Sequence, residues 1–100
     1  MNDLEYDVLS WLAAGNSVFR PREATREAEE AFRGTVQLLG VLRDRGLVSY
    51  RDEHVTTTES GIFLGVGPVQ LTPAGKEALE RDRRLGPRPP RPSDSVPWRS

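Results

Sequence analysis

The stretch FRGTVQLLGVLRDRGLVSY, residues 32–50, joins a helical pattern directly to a strand pattern. Its apolar residues recur at every third or fourth position up to Leu42, which is the periodicity of an amphipathic helix. Gly46 follows where helices commonly end, because glycine adopts the left-handed backbone conformation without steric cost. The next four residues, LVSY, include the β-branched and aromatic side chains favoured in strands. The stretch therefore predicts a helix that ends before Gly46 and passes at once into a strand.

The region before this stretch allows one helix or two. Pro21 suits the first position of a helix, so we predict a helical start near residue 21. The three-and-four spacing of apolar residues then continues unbroken through Gly34. In one interpretation Arg33 and Gly34 form a tight turn between two helices, since glycine inside a helix costs about 1 kcal/mol. In the other, one long helix runs through. We favour the turn, because short chains usually bury a helical corner rather than a single long helix.

Capping signals delimit a first and a last helix. Asn2 and Glu5 have the spacing of a capping box, and Gly15 ends the apolar periodicity that follows them. Thr72 is a favoured N-cap residue, and the proline after it suits the first helical position. These signals predict a helix over residues 3–14 and another from residue 73 to about residue 84.

Two strand-like segments, HVTTT and IFLGV, flank a three-residue connection that ends in Gly61. Such a connection is typical of a β-hairpin, and pairing centred on Ser60 extends one long hairpin over residues 47–72. The expected partners are Thr58 with Ile62, Thr56 with Leu64, and Tyr50 with Gln70. The dipeptides Asp52-Glu53 and Gly67-Pro68 then face each other as irregularities, where bulges are expected.

Length and composition predict one small domain followed by a tail. The chain has 100 residues, of which 36% are hydrophobic, and this is enough for one modest core. The last segment, GPRPPRPSDSVPWRS, has too little apolar surface to offset the entropy of ordering it. We therefore predict a domain over residues 1–85 and a Pro/Arg-rich disordered tail over residues 86–100, outside the core. Truncation after Leu85 is then expected to change the melting temperature little.

The charge balance excludes a strongly charged protein. Fourteen Lys and Arg residues face 15 Asp and Glu residues, for a net charge of −1, so the molecule as a whole has no field that attracts nucleic acid or membrane. There is no cysteine, which fits a reducing compartment. The acidic N-terminus lacks a basic apolar leader, and no apolar stretch approaches the roughly 20 residues that span a bilayer. We expect a soluble, cytoplasmic protein without membrane association.

Catalytic and metal-binding motifs are missing from the sequence. His54 is the single histidine, and no motif supplies it with a nucleophile or an orienting carboxylate. No HExxH or paired-ligand spacing predicts a metal site. The GVGP segment at residues 65–68 lacks the spacing of a phosphate-binding loop and does not open a helix. We expect a protein that is not an enzyme and that has no cofactor or metal, with His54 at the surface of a strand.

The predicted order of elements resembles a winged helix-turn-helix domain. The resemblance rests on Gly46-Leu47-Val48 after an amphipathic helix and on LTPAGKEALE after the hairpin, and it covers residue 4 to about residue 84. Small bacterial regulators of the MarR and PadR families have these features. The resemblance implies an α+β fold with three helices, a long β-hairpin wing and a C-terminal helix. It implies a DNA-binding transcriptional regulator, although winged-helix domains also include RNA-binding and protein-interaction modules.

Polar residues around the predicted corner are candidates for contacts with double-stranded DNA, since base edges and phosphates are met by such side chains. Gln37 suits a base edge, and Arg33 suits a phosphate at the start of the helix. The predicted DNA-binding residues are Arg22, Arg26, Arg33, Thr35 and Gln37. Glutamates interleave with these arginines, so a solvated, salt-bridged helix face is the simpler interpretation. At the predicted wing tip, Glu59 stands where DNA-binding wings usually carry Arg or Lys.

The same helix also predicts an apolar surface. If Thr35, Leu39 and Leu42 face the core, the outer face contains Val36, Gly40 and Val41, a smooth patch of the kind that packs against protein. We therefore predict a homodimer or another protein partner that contacts this patch. The alternative is that the helix is rotated and these residues belong to the core.

Overall fold

The computed structural model describes residues 2–86 and 96–99. Within those ranges the protein is a small α+β fold with three α-helices and short antiparallel strands. The elements in chain order are α1 (Asp3–Ala13), α2 (Arg26–Asp44), β1 (Val48–Ser49), β2 (Val55–Thr57), β3 (Phe63–Val66), β4 (Gln70–Leu71) and α3 (Pro73–Leu85), with one 3-10 turn at Asp52–His54. None of the helices in this described part is long and apolar enough to cross a membrane.

The two capped helices form where the sequence predicts them. At the start of α1, the Asn2 side chain accepts a hydrogen bond from the Glu5 backbone N–H at 2.8 Å. At the start of α3, the Thr72 hydroxyl accepts from the Gly75 N–H at 3.0 Å. The same hydroxyl donates to the Gly46 carbonyl at 2.6 Å. Thr72 therefore caps α3 and also fastens it to the end of α2.

The predicted turn at Arg33 and Gly34 is wrong, and the one-helix alternative is correct. Helix α2 is continuous from Arg26 to Asp44, and its N-cap is Thr25, not the residue before Pro21. Phe32 and Leu39, on either side of Gly34, are both fully buried in one core. Their burial is worth about 1.5–3 kcal/mol each, which outweighs the cost of one glycine. The described chain therefore has only two helices before its first strand, where the resemblance implies three.

Phe19 and Arg20, before α2, are extended because they pair with the sheet and with the C-terminal segment. Phe19 exchanges backbone hydrogen bonds with Val66 of β3, each at 2.9 Å. Arg20 exchanges backbone hydrogen bonds with Arg99, each at 2.8 Å. These partners are far away in sequence, so no local pattern contains this pairing. Residues 22–25, after Pro21, form bends, and the helix starts only at Arg26.

The hairpin over residues 47–72 forms as two short ladders. Strand β2 pairs with β3, and β1 pairs with β4, both antiparallel. The predicted pair Thr58 with Ile62 is confirmed by a backbone hydrogen bond of 2.9 Å. The other two predicted pairs are each wrong by one position: Thr56 lies opposite Gly65, and Ser49 lies opposite Gln70. A bulge between Thr56 and Thr57 shifts the register.

Both predicted sites depart from regular strand pairing, but neither is the predicted bulge, and the bulge lies instead between Thr56 and Thr57. The Asp52-Glu53 side forms the 3-10 turn, and the Gly67-Pro68 side contains a cis peptide bond. The turn at the tip is as predicted, since Gly61 has a φ of +85°, a conformation that favours glycine. Local sequence signals therefore identify the tip and two of the irregular sites of the hairpin, but not the bulge between Thr56 and Thr57.

The end of the predicted tail belongs to the core. Trp98 is fully buried, and its ring meets Phe19 edge-on at a centroid distance of 5.4 Å and Trp11 at 6.2 Å. Val96 is also buried. The prediction of a disordered tail is therefore wrong for residues 96–99, while residues 87–95 lie outside the described residues. Average composition predicts disorder, but a single tryptophan buries about 150–250 Å² when aromatic partners are available.

Candidate functional site

One face of α2 carries a line of apolar residues that the rest of the described chain covers only in part, at Leu38. The residues are Ala31, Gly34, Leu38 and Val41, which we call the α2 stripe. Their spacing of three, four and three places them along one side of a helix. Ala31 and Gly34 are exposed, Leu38 is half-buried, and the Val41 side chain is 50% exposed. A Cβ atom added at Gly34 would have no neighbour within 4 Å.

The α2 stripe has a directional shape. Its N-terminal half consists of the small residues Ala31 and Gly34, and its C-terminal half consists of the large residues Leu38 and Val41. Glu27 continues the same line toward the helix start, and Arg45 continues it past the helix end. Arg45 also forms an ion pair with Glu5 at 3.5 Å, although about half of its side chain stays exposed. The stripe therefore has small side chains and an acidic residue at its N-terminal end, and large side chains and a basic residue at its C-terminal end.

The predicted apolar patch is only partly exposed. Val36 is 9% exposed and belongs to the core, so its predicted place on the outer face is wrong. Gly40 is half-buried, and a Cβ atom there would lie 3.8 Å from the Tyr50 hydroxyl. Only Val41 of the three is on the surface. The helix is rotated relative to the prediction, because Val36 packs inward and Leu38 lies at the boundary of the core.

The spacing of apolar residues in the sequence predicts the α2 stripe, but only if α2 is one continuous helix. Ala31, Gly34, Leu38 and Val41 follow the spacing of a helix–helix contact. A turn at Gly34 would remove this residue from the helical surface and break the line. With α2 continuous, the small residues at 31 and 34 become part of the same face as Val41.

The predicted DNA-binding residues lie in different environments, one in the core and the others at the surface. Thr35 is fully buried, which contradicts its predicted role as a DNA contact. Arg33 and Gln37 are exposed one turn apart on α2. Arg26 lies on the same side and forms an ion pair with Glu30 at 3.3 Å. Arg22 lies before the helix and donates to the Val96 carbonyl at 3.2 Å, so it takes part in holding the C-terminal segment.

A cation–aromatic contact joins the end of α2 to the hairpin. The Arg43 guanidinium lies 4.6 Å from the centre of the Tyr50 ring, and its Nη1 donates to Asp52 at 2.9 Å. The hydrogen bond to Asp52 raises the pKa of Arg43. Partial burial raises the pKa of the Tyr50 phenol. Both groups therefore keep their protons at neutral pH, and we assign this cluster a structural role.

A cleft of 320 Å³ lies between the segment before α2 and the β2–β3 hairpin. It is lined by Val18, Arg20, His54, Thr56, Leu64, Gly65, Val66 and Gly67. His54 lies at the end of the 3-10 turn and not on a strand, and its Nδ1 accepts the Arg51 backbone N–H at 3.1 Å. In the described ranges, no group of three or more His, Asp or Glu side chains is placed to hold a metal ion.

No protein-family model matches this chain, and no curated protein or solved structure is detectably similar to it. The α+β arrangement is compatible with a winged helix, but the helical corner that defines a helix-turn-helix is replaced by one continuous helix. The relationship to that superfamily therefore stays a prediction from the sequence.

Proposed function

We propose that this chain is a protein-interaction module that pairs with a second copy of itself along the α2 stripe. The observation that carries the proposal is the partly exposed line of apolar residues on a 19-residue helix. An apolar surface that continues along a helix is a common mark of a protein interface. A partner that packs on this face would remove the exposed apolar surface of Leu38 and Val41 from water.

The shape of the α2 stripe favours an antiparallel pair. When two copies cross with opposite directions, Leu38 of one lies over Gly34 of the other, and Val41 lies over Ala31. Both contacts occur twice, as they must in a two-fold symmetric interface. Small residues let two helices approach closely, and large residues fill the space that the small ones leave. A parallel pair would instead place large residues against large ones, and the space between the facing small residues, Ala31 and Gly34, would stay unfilled.

The charges at the ends of the stripe favour the same orientation. In the antiparallel pair Glu27 of one copy lies near Arg45 of the other, at both ends of the interface. In a parallel pair Glu27 would face Glu27, and Arg45 would face Arg45. Like charges placed together are unfavourable and select against that arrangement.

The first test compares two equally exposed apolar residues. Val41 and Leu64 are each 50% exposed, but Val41 lies on the stripe and Leu64 on the hairpin. We expect light scattering at high micromolar concentration to give a dimer mass for the wild type and for Leu64→Glu. Val41→Glu is expected to give the monomer mass, because it places a carboxylate in an apolar contact. A monomeric wild type, or a Val41→Glu variant that remains dimeric, would reject the proposal.

A charge reversal tests the orientation. Glu27→Arg and Arg45→Glu are each expected to weaken self-association by about fivefold, since two exposed ion pairs are lost in each symmetric dimer. The double variant is expected to recover the wild-type dissociation constant in sedimentation equilibrium, because opposite charges again face each other. A double variant that associates no better than Glu27→Arg alone would contradict the antiparallel arrangement.

A second candidate function is contact with duplex DNA, as expected of a transcriptional regulator. It is favoured by the exposure of Arg33 and Gln37 one turn apart on α2. Arginine and glutamine are the side chains that meet phosphates and base edges. Because Arg33 and Gln37 border the α2 stripe, self-association and DNA contact would use neighbouring parts of the same helix.

Gel-shift titration at low salt tests this second candidate. If it holds, Arg33→Ala weakens binding to all duplexes and reduces the salt slope by about one. Gln37→Ala then lowers the preference for a cognate site by about 1–3 kcal/mol, because a base contact discriminates between sequences. The absence of any shift with random or selected duplex would reject DNA binding, and so would equal affinities in the wild type and both variants.

A further inference from the structure

Two glycines line the cleft beside the hairpin, so backbone atoms form part of its wall. Gly65 and Gly67 both line it, and each lies close to the segment before α2. A Cβ atom at Gly65 would lie 3.2 Å from the Phe19 carbonyl oxygen, and one at Gly67 would lie 3.0 Å from a Val18 methyl group. Any larger residue at these positions would crowd the two segments. The glycines of GVGP therefore let the hairpin pack closely against residues 17–20, and they leave the cleft lined by its remaining side chains.

The side chains that line the cleft offer hydrogen-bond donors and a permanent positive charge. Arg20 contributes a guanidinium, and Thr56 contributes a hydroxyl. Since Nδ1 of His54 accepts the Arg51 N–H, the neutral ring carries its proton on Nε2 and offers a donor there. None of the described lining residues is acidic. Glu53, the neighbour of His54 in the sequence, does not line the cleft and forms an ion pair with Arg51 at 3.4 Å.

A second arginine stands next to Arg20. Arg20 and Arg99 exchange both of their backbone hydrogen bonds, so they lie directly opposite each other in an antiparallel pair. Side chains of such a pair lie on the same face, and two like charges in this position destabilise the pairing. In the described chain neither arginine forms an ion pair with a carboxylate. The Arg99 guanidinium donates from Nε to the Pro21 carbonyl at 3.0 Å and does not line the cleft, so Arg20 is the cation that the cleft presents. An anion bound at Arg20 would offset the repulsion between the two arginines.

We propose that this cleft binds a small organic oxyanion. Its phosphate or carboxylate group contacts Arg20, with Thr56 and His54 as further donors. Its apolar part lies against Val18 and Leu64, the two apolar side chains at the edge of the cleft that are not fully buried. The volume of 320 Å³ is at the lower end of the range for small-molecule sites, which is about 300–1,000 Å³. The ligand is therefore a compact molecule.

Titration by 15N NMR with phenyl phosphate and with inorganic phosphate, at constant ionic strength, tests the proposal. We expect saturable shifts confined to residues 18–20, 54–56 and 64–67. Phenyl phosphate is expected to bind about tenfold more tightly than inorganic phosphate, because its ring removes apolar surface from water. Arg20→Gln is expected to weaken phenyl phosphate binding by at least about tenfold, since a charge-assisted contact is lost.

The control variant is Arg26→Gln, which removes an exposed arginine from α2 and is expected to leave the affinity unchanged. Thr56→Glu gives a second variant with a side chain that is exposed in the folded protein, so it is expected to fold while its carboxylate abolishes binding. Shifts without saturation, or equal affinities in Arg20→Gln and the wild type, would overturn the proposal. Equal affinities for phenyl phosphate and inorganic phosphate would overturn the assignment to an organic anion.

Discussion

Trp98→Ala is expected to lower the free energy of unfolding by about 3–5 kcal/mol, the loss typical of a buried aromatic residue replaced by alanine. Trp98 is fully buried although it stands near the C-terminus, and its ring contacts Trp11 and Phe19. A small domain has about 5–15 kcal/mol of stability in total, so this loss is a large share. Truncation before Val96 is expected to have an equal or larger effect. Urea unfolding followed by circular dichroism measures both.

Leu85→Ala provides the control for this prediction. Leu85 is also a large apolar residue near the end of the described domain, but it is 84% exposed at the end of α3. Its replacement is expected to change the unfolding free energy by less than about 0.5 kcal/mol. If Trp98→Ala and Leu85→Ala have the same small effect, the C-terminal segment does not dock on the domain in solution.

Gly75→Ala is expected to destabilise the protein by at least about 3 kcal/mol, because a backbone atom occupies the space that a side chain needs. A Cβ atom at Gly75 would collide with the Leu47 carbonyl oxygen and would lie 2.8 Å from a Leu71 methyl group. The same carbonyl accepts the Thr72 N–H at 3.2 Å, so it cannot move without loss of that bond. Thermal unfolding monitored by circular dichroism measures the effect.

Gly34→Ala makes the same chemical change in open space and is expected to act in the opposite direction. Gly34 lies inside α2 with nothing within 4 Å of its Cβ position. Alanine there should stabilise the monomer by about 0.5–1 kcal/mol, since glycine is a poorer helix former. The measurement is made at a protein concentration where self-association is negligible. A stabilising Gly75→Ala would show that α3 does not pack against Leu47 as described.

The elements that the sequence predicted well are those decided by contacts a few residues apart. Asn2 caps α1 through Glu5, and Thr72 caps α3 through Gly75. The Gly61 turn also depends on neighbouring residues only. Such hydrogen bonds and backbone preferences act over three or four positions, so a short window of sequence contains all the information they need.

The resemblance to a winged helix-turn-helix domain depends on a mixture of local and long-range information. The order of helix, hairpin and C-terminal helix follows from local signals, and it agrees with the structure. The helical corner does not, because continuity through Gly34 depends on whether Phe32 and Leu39 reach one core. The candidate site therefore differs from the predicted one, because Thr35 and Val36 are core residues and the exposed apolar face of the helix is the α2 stripe.

By itself the sequence determined the caps, the hairpin tip and the irregular sites at Asp52-Glu53 and Gly67-Pro68, because these depend on local backbone chemistry, but not the bulge between Thr56 and Thr57. Tertiary structure alone decided that Phe19 pairs with Val66 and that Arg20 pairs with Arg99. It also decided the burial of Trp98 against Trp11 and Phe19, which lie near the other end of the chain. Burial of an apolar side chain depends on which distant surfaces meet, and no local pattern near Trp98 contains that information.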